Sequence, residues 1–225
     1  MTPVLEKSIV KKVKARPVAR KAAAQKIAQK VAAPKMRAPE KLVTAEEFWE
    51  MQAQFQNQRA ELINGKVINM APAGGQHGVE AFAIGLLLGI YVKKKKLGVM
   101  CAAETGFILE DKTVRAPDAA FISQARLEEN RGKMDGKIRT EKFWPFAPDL
   151  AVEVVSPGDR AGEVADKVRD WLKSGVRLVW VIYPRSQTIH VFTAPETMQI
   201  LEADSILTGG EIVPGFSCKI GEIFE

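Results

Sequence analysis

Two acids stand where strands should bury only apolar side chains. The run Asp149-Leu150-Ala151-Val152-Glu153-Val154-Val155 reads as a core strand interrupted by Glu153, and Ala116-Pro117-Asp118-Ala119-Ala120-Phe121-Ile122 repeats an acid leading into an apolar run. An ionised carboxylate without a partner is too costly to bury. Acids so placed bind a metal, pair with a cation or titrate abnormally. On neighbouring strands, Asp118 and Glu153 suit Mg²⁺ (or Mn²⁺), which takes one or two carboxylates and completes its octahedron with water and phosphate oxygens. A third acid, Glu61, opens an early hairpin and is expected to reach the same cleft.

The cation expected to serve these acids lies on a helix. In Glu163-Val164-Ala165-Asp166-Lys167-Val168-Arg169-Asp170-Trp171-Leu172 the apolar stripe is Val164, Val168, Trp171 and Leu172. Lys167 neighbours that stripe and can turn inward. Lys173 sits at the helix end, where the dipole alone accounts for a cation. His77 follows a Gly-rich loop and reads either as a phosphate contact or as a cap. Read singly, each residue has a plain structural alternative: Glu153 and Lys167 as a buried ion pair, Asp118 as a turn residue after Pro117.

The elements that must hold these residues follow in order. Thr44 caps a helix to about Gln56, with Glu47 completing a capping box. Glu61–Met70 is a hairpin around Asn64-Gly65, the type I′ signal. His77 precedes a helix that runs to about Lys96. Strands are expected at 99–103, 106–109, 114–122, 150–155, 176–183, 188–192 and 198–202, with a helix over 161–174. A strand, a helix and a strand in sequence predict one right-handed crossover in a mixed sheet. The class is α+β (α/β): a mixed β-sheet flanked by helices, with an N-terminal helix and hairpin.

The chain has 225 residues, 46% hydrophobic, with net charge +6. The charge is uneven: residues 1–41 hold 12 Lys/Arg and 2 Asp/Glu, and the remainder is mildly acidic. Residues 1–40 lack aromatics and cannot bury enough surface to fold alone. They read as a basic tail ahead of a domain over 41–225. Such a tail can serve as a nucleic-acid-binding arm, a solubilising extension or a mitochondrial-type presequence. No apolar segment with a cleavage site marks a secretory signal. The apolar run Ala81–Val92 is too short for a membrane span and reads as a packed helix, so no membrane partner is expected. Cys101 and Cys218 lack metal or disulfide spacing and read as reduced packing residues, in keeping with a cytoplasmic location.

Taken in order, Glu61-Leu62-Ile63-Asn64-Gly65, Gln76-His77-Gly78, Ala116-Pro117-Asp118 and Pro148-Asp149-Leu150-Ala151-Val152-Glu153-Val154-Val155-Ser156-Pro157 resemble the Uma2 family (DUF820). So does the sequel Lys167…Trp171…Gly175-Val176-Arg177-Leu178-Val179-Trp180-Val181. The resemblance covers residues 42–225. It implies a restriction-endonuclease-like fold of the PD-(D/E)XK nuclease superfamily and metal-dependent endonuclease activity on DNA, with RNA left open. It places the motif acids on Asp118 and Glu153, the hairpin acid on Glu61 and the motif lysine on Lys167, since Val155 occupies the strand position. The Val-Asp-Pro that often ends the later strand is here Ile182-Tyr183-Pro184. A homodimer is expected by analogy. The alternatives are a non-catalytic nucleic-acid-binding protein that uses its tail, or an inactive structural or regulatory relative.

Overall fold

The computed structural model describes residues 41–225 except 56–58 and 138–139, so the basic tail lies outside the described residues. Thr44 accepts the Glu47 N–H at 3.2 Å while Glu47 accepts that of Thr44 at 3.0 Å, forming the expected box. Helix α1 spans only Ala45–Glu50, and a 3₁₀ turn over Gln52–Phe55 replaces its last turn. Strands β1 (Arg59–Ile63) and β2 (Lys66–Met70) form the hairpin, with Asn64 and Gly65 at φ 49° and 78°. A Cβ at Gly65 would lie 2.7 Å from that of Leu42. Gly65→Ala therefore combines a disfavoured φ with a clash, and is expected to destabilise the domain by about 1–2 kcal/mol in a urea titration.

Helix α2 runs Gly75–Lys95, so His77 lies within its first turn rather than ahead of it. At 21 residues it is long and apolar enough to cross a membrane by length and composition, unlike the shorter run picked out in the sequence. Glu80, Ile84, Leu88 and Val92 are buried, but Val79, Phe82, Leu86 and Ile90 on the opposite side are exposed. It is thus packed on one face only.

Strands β3 (Gly98–Ala102) and β4 (Phe107–Glu110) follow. The expected single strand over 114–122 is two: β5 (Thr113–Arg115) and β6 (Ala119–Ser123), in different sheets. Pro117 has no N–H for a ladder, and Asp118 sits in the break. The long polar stretch after β6 contains α3 (Gln124–Glu129), capped by Ser123, and a 3₁₀ turn over Arg131–Met134. Then come β7 (Leu150–Val154), α4 (Ala161–Lys173), β8 (Leu178–Tyr183), β9 (Thr188–Ala194) and β10 (Thr197–Leu201). The chain closes with β11 (Ile206–Thr208), β12 (Ser217–Lys219) and α5 (Gly221–Phe224).

A six-stranded mixed sheet, β10-β9-β8-β7-β6-β3, organises the domain, and a four-stranded sheet, β2-β1-β5-β4, carries the hairpin. Strands β7 and β8 are parallel, joined by α4 as the crossover. Side chains alternate across a strand, and the two faces of β7 meet different helices. Leu150, Val152 and Val154 join Ile84, Leu88 and Val92 of α2 in one core. Ala151 joins Val168 and Trp171 of α4 in another. Glu153 shares the face of Ala151 and so points toward α4.

Trp171 is fully buried. An aromatic of that kind removes about 150–250 Å² from water, worth about 4–6 kcal/mol before ordering costs are subtracted. This fixes the azimuth of α4, and with it every other side chain on the helix. A Schellman ending stops α4 cleanly: Gly175 at φ 90° donates to Leu172 O, and Val176 donates to Trp171 O.

Candidate active site

The four expected site residues line two cavities rather than one shared cleft. Glu61, Glu153 and Lys167 line one of about 680 Å³, together with Arg115 and Asp170. Asp118 and His77 line a second, of about 630 Å³, between α2 and β3. Glu61, Asp118 and Glu153 are all buried, at 4%, 7% and 5% exposure. Each must therefore find partners.

Glu153 is held by α4. Lys167 Nζ donates to its Oε2 at 3.0 Å and the Trp171 indole N–H to its Oε1 at 2.8 Å. The two donors stand four residues apart, one turn along the same helical face. Burial raises the Glu153 carboxyl above its ordinary range; the Lys167 charge opposes this, and the Asp118 and Glu61 charges push it up further. Burial alone would lower Lys167, but Glu153, Glu61 and Asp118 outweigh it, and its pKa lies above the usual lysine value. Lys167 is therefore a stable ammonium.

Asp118 extends a ladder that the backbone abandons. Its N–H bonds Val152 O at 2.9 Å, and its Oδ2 accepts the Val154 N–H at 2.7 Å. The carboxylate thus replaces the backbone acceptor that β6 would supply had the chain not turned at Pro117. His77 Nε2 lies 3.2 Å from the same Oδ2. That bond raises the histidine pKa against the opposing effect of burial. No described residue donates a hydrogen bond to Asp118 Oδ1.

Glu61 is held by a residue the sequence reading passed over. Arg115, 4% exposed, donates from Nη1 to Glu61 Oε2 at 2.8 Å. Its Nε and Nη2 grip Asp170 Oδ2 on α4, and the Ala116 N–H donates to Glu61 Oε1 at 3.1 Å. Arg115 thereby ties the hairpin sheet to the helix that carries Lys167. The sequence signal for it was the one used for the acids: a charge inside an apolar stretch, Thr113-Val114-Arg115-Ala116-Pro117. Asp170 and the indole of Trp171 were also missed. Trp171 was read only as apolar filling, and nothing in the chain shows that its N–H is needed.

The Uma2 family model, described as "Putative restriction endonuclease", matches residues 45–221. The chain belongs to the Uma2 family. This places it among nuclease-type hydrolases. A crystal structure of "a putative nuclease belonging to DUF820" from Anabaena variabilis ATCC 29413 is similar, with a TM-score of 0.66 and 22% identity. The alignment covers 81% of this chain and 97% of that one. At that identity the likeness is one of fold, and it supports the restriction-endonuclease-like architecture of the Uma2 domain. No curated protein matches the chain.

Among the described residues no three His, Cys, Asp or Glu side chains already stand as a ligand cluster. Mg²⁺ does not require three. The local donors are the carboxylate oxygens and the His77 imidazole beside Asp118; burial pushes the Cys101 and Cys218 thiols up to about 11. Four acids (Glu61, Asp118, Glu153, Asp170) stand among Lys167, Arg115 and His77, and a hard divalent cation suits carboxylate oxygens of this kind.

Proposed function

We propose that this protein is a metal-dependent endonuclease that hydrolyses phosphodiester bonds in DNA. The observation that carries this reading is the buried Glu153–Lys167 pair, set beside Glu61 in an open cavity and electrostatically coupled to Asp118. Asp118 and Glu153 would hold Mg²⁺ or Mn²⁺, with Glu61 as a further ligand or a holder of metal-bound water. The ion would polarise the phosphate and acidify its bound water.

The chain's own residues supply the rest. Lys167, protonated and aimed at the acids, orients the attacking water and stabilises negative charge that develops on the phosphate. The acids around it raise its pKa, which favours orientation and charge stabilisation over proton abstraction. Trp171 and Arg115 hold Glu153 and Glu61 in place. His77, 3.2 Å from Asp118, would contact a phosphate bound there. The basic residues 1–40 fit an arm that gathers nucleic acid by releasing counterions, and a cytoplasmic location goes with this reading. RNA shares the same scissile chemistry and belongs in the test as a second substrate.

The test is plasmid nicking with and without Mg²⁺ or Mn²⁺. Asp118→Asn and Glu153→Gln are the informative variants. Asp118→Asn keeps an oxygen for the Val154 N–H, whereas alanine would leave that buried donor unpaired at about 1–3 kcal/mol. Metal-dependent nicking lost in both variants is the expected result. Nicking that both variants retain refutes the site. Metal-independent, salt-sensitive binding that needs only residues 1–40 would instead favour a non-catalytic binder.

A further inference from the structure

The cavity between α2 and β3 belongs to the candidate site only at one end. His77 and Asp118 line it there, and it then follows α2 past Phe82, Leu86 and Ile90 as far as Lys93. That path is about 24 Å of helix, at about 1.5 Å per residue. Chemistry at a single phosphate explains neither this length nor its lining. Phe82 and Ile90 are 70% and 60% exposed, and large apolar side chains gathered together mark a binding surface. Gly85 and Gly89 keep the groove open, since a Cβ added at either would meet nothing within 4 Å.

At the far end stand four successive lysines, Lys93, Lys94, Lys95 and Lys96, all exposed. No acid among the described residues pairs with any of them. The helix dipole accounts for a cation at this position. It does not account for four, whose side chains fan about 100° apart around the helix end. Their charge calls for anions outside the chain.

We infer that this groove binds a single strand of nucleic acid, with its bases on the apolar floor and its phosphates on the lysines at 93–96, and leads it to His77 and Asp118. The inference rests on the nuclease reading for what lies at the site end. Chemistry selects the occupant. A duplex turns its phosphates outward and keeps its base faces stacked inside, so it would meet the lysines and leave the apolar floor wet. A single strand offers both base faces for Phe82 and a flexible backbone for the lysines. At about 3.4 Å per stacked nucleotide the groove takes roughly seven. An anionic membrane would match the apolar ridge and the lysines but has no use for a groove that ends at two site residues. A supercoiled plasmid opens locally under its own negative supercoiling, so it remains a substrate on this reading.

Fluorescence anisotropy of the full chain, without metal, provides the test, so that binding is read whether or not the strand is cut. The probes are a short labelled oligodeoxynucleotide, its duplex, and an oligoribonucleotide of the same sequence, which identifies the sugar the groove takes. The basic residues 1–40 would attract all of them through phosphates, so the readout is the ratio of single-strand to duplex affinity. A preference of about tenfold for the single strand is expected, lost in Phe82→Ala as one base–aromatic contact goes. It is lost equally in Gly89→Leu, which fills the groove without touching charge. Combining Lys93→Gln, Lys94→Gln, Lys95→Gln and Lys96→Gln should lower the salt slope of strand binding by about 2–3, at about 0.7 per phosphate. Circular dichroism should be retained throughout, because all these positions face solvent. Equal affinity for strand and duplex, or a preference that survives both Phe82→Ala and Gly89→Leu, overturns the inference. So does binding to phosphatidylcholine–phosphatidylserine vesicles, or a two-chain mass in sedimentation, that Phe82→Ala abolishes. The expected strand preference in a protein that nicks nothing with Mg²⁺ or Mn²⁺ would uphold the groove and refute the nuclease reading instead.

Discussion

Lys167→Met is expected to cut nicking by about 10²–10³-fold, the usual effect of removing one preorganised donor from a site of developing charge. Methionine keeps the apolar stem and removes the ammonium 3.0 Å from Glu153. Lys167→Arg retains the charge with a different donor geometry and should recover part of the rate. The pH profile separates the two roles a lysine can play. Held above its usual pKa by the surrounding acids, Lys167 stays charged throughout the working range. The wild-type rate should therefore show no rise on an alkaline limb that Lys167→Met removes. Such a limb would make Lys167 the base and overturn the role given to it here. Equal rates in Lys167→Met and wild type would remove the residue from the mechanism.

The second large effect is on stability. Arg115→Ala leaves Glu61, 4% exposed, without its cation, and an uncompensated buried charge costs about 3–5 kcal/mol. For a domain of this size the melting temperature should drop by about 10 °C. Removing both charges, as in Arg115→Met with Glu61→Leu, should restore most of the loss, because replacing a buried pair by apolar groups is often close to neutral. The double variant should nevertheless remain impaired in nicking, since Glu61 is gone. A single variant that melts like wild type would show that the Arg115 clamp does not hold the hairpin sheet in place.

Elements defined by local chemistry were legible in the chain. The capping box at Thr44, the Asn64-Gly65 turn and the 3.6-residue stripe of α4 each depend on residues within a few positions, and each appears as expected. Where the sequence misled, the deciding partner was distant. Residues 114–122 look like one strand because their apolar side chains run on, but Pro117 divides them between two sheets. The closing β11–β12 ribbon was hidden among Gly and Pro turns, since three-residue strands leave almost no periodic signal. At the site, the acids were visible as charges in apolar runs, and the inward turn of Lys167 followed from its helical phase. Arg115 carried the same signal and was passed over, and its partnership with Asp170 became visible only when the fold brought together residues 55 positions apart. The exposed face of α2 was missed for a related reason: a helix apolar all round does not reveal which side the core will claim.

That difference in range bears on motion. The grip on Glu153 closes over 14 and 18 residues, within one strand-helix crossover. The grip on Glu61 spans 54. Contacts so unequal in reach need not open together, because local unfolding proceeds in cooperative units of differing stability. Amide exchange in native buffer should then find β7 and α4 protected as a block, with β1 and β2 exchanging through a separate and cheaper opening. A protein built this way can let one acid swing out with the hairpin, admit a bulky polymer and close again, without ever dismantling the lysine-bearing half.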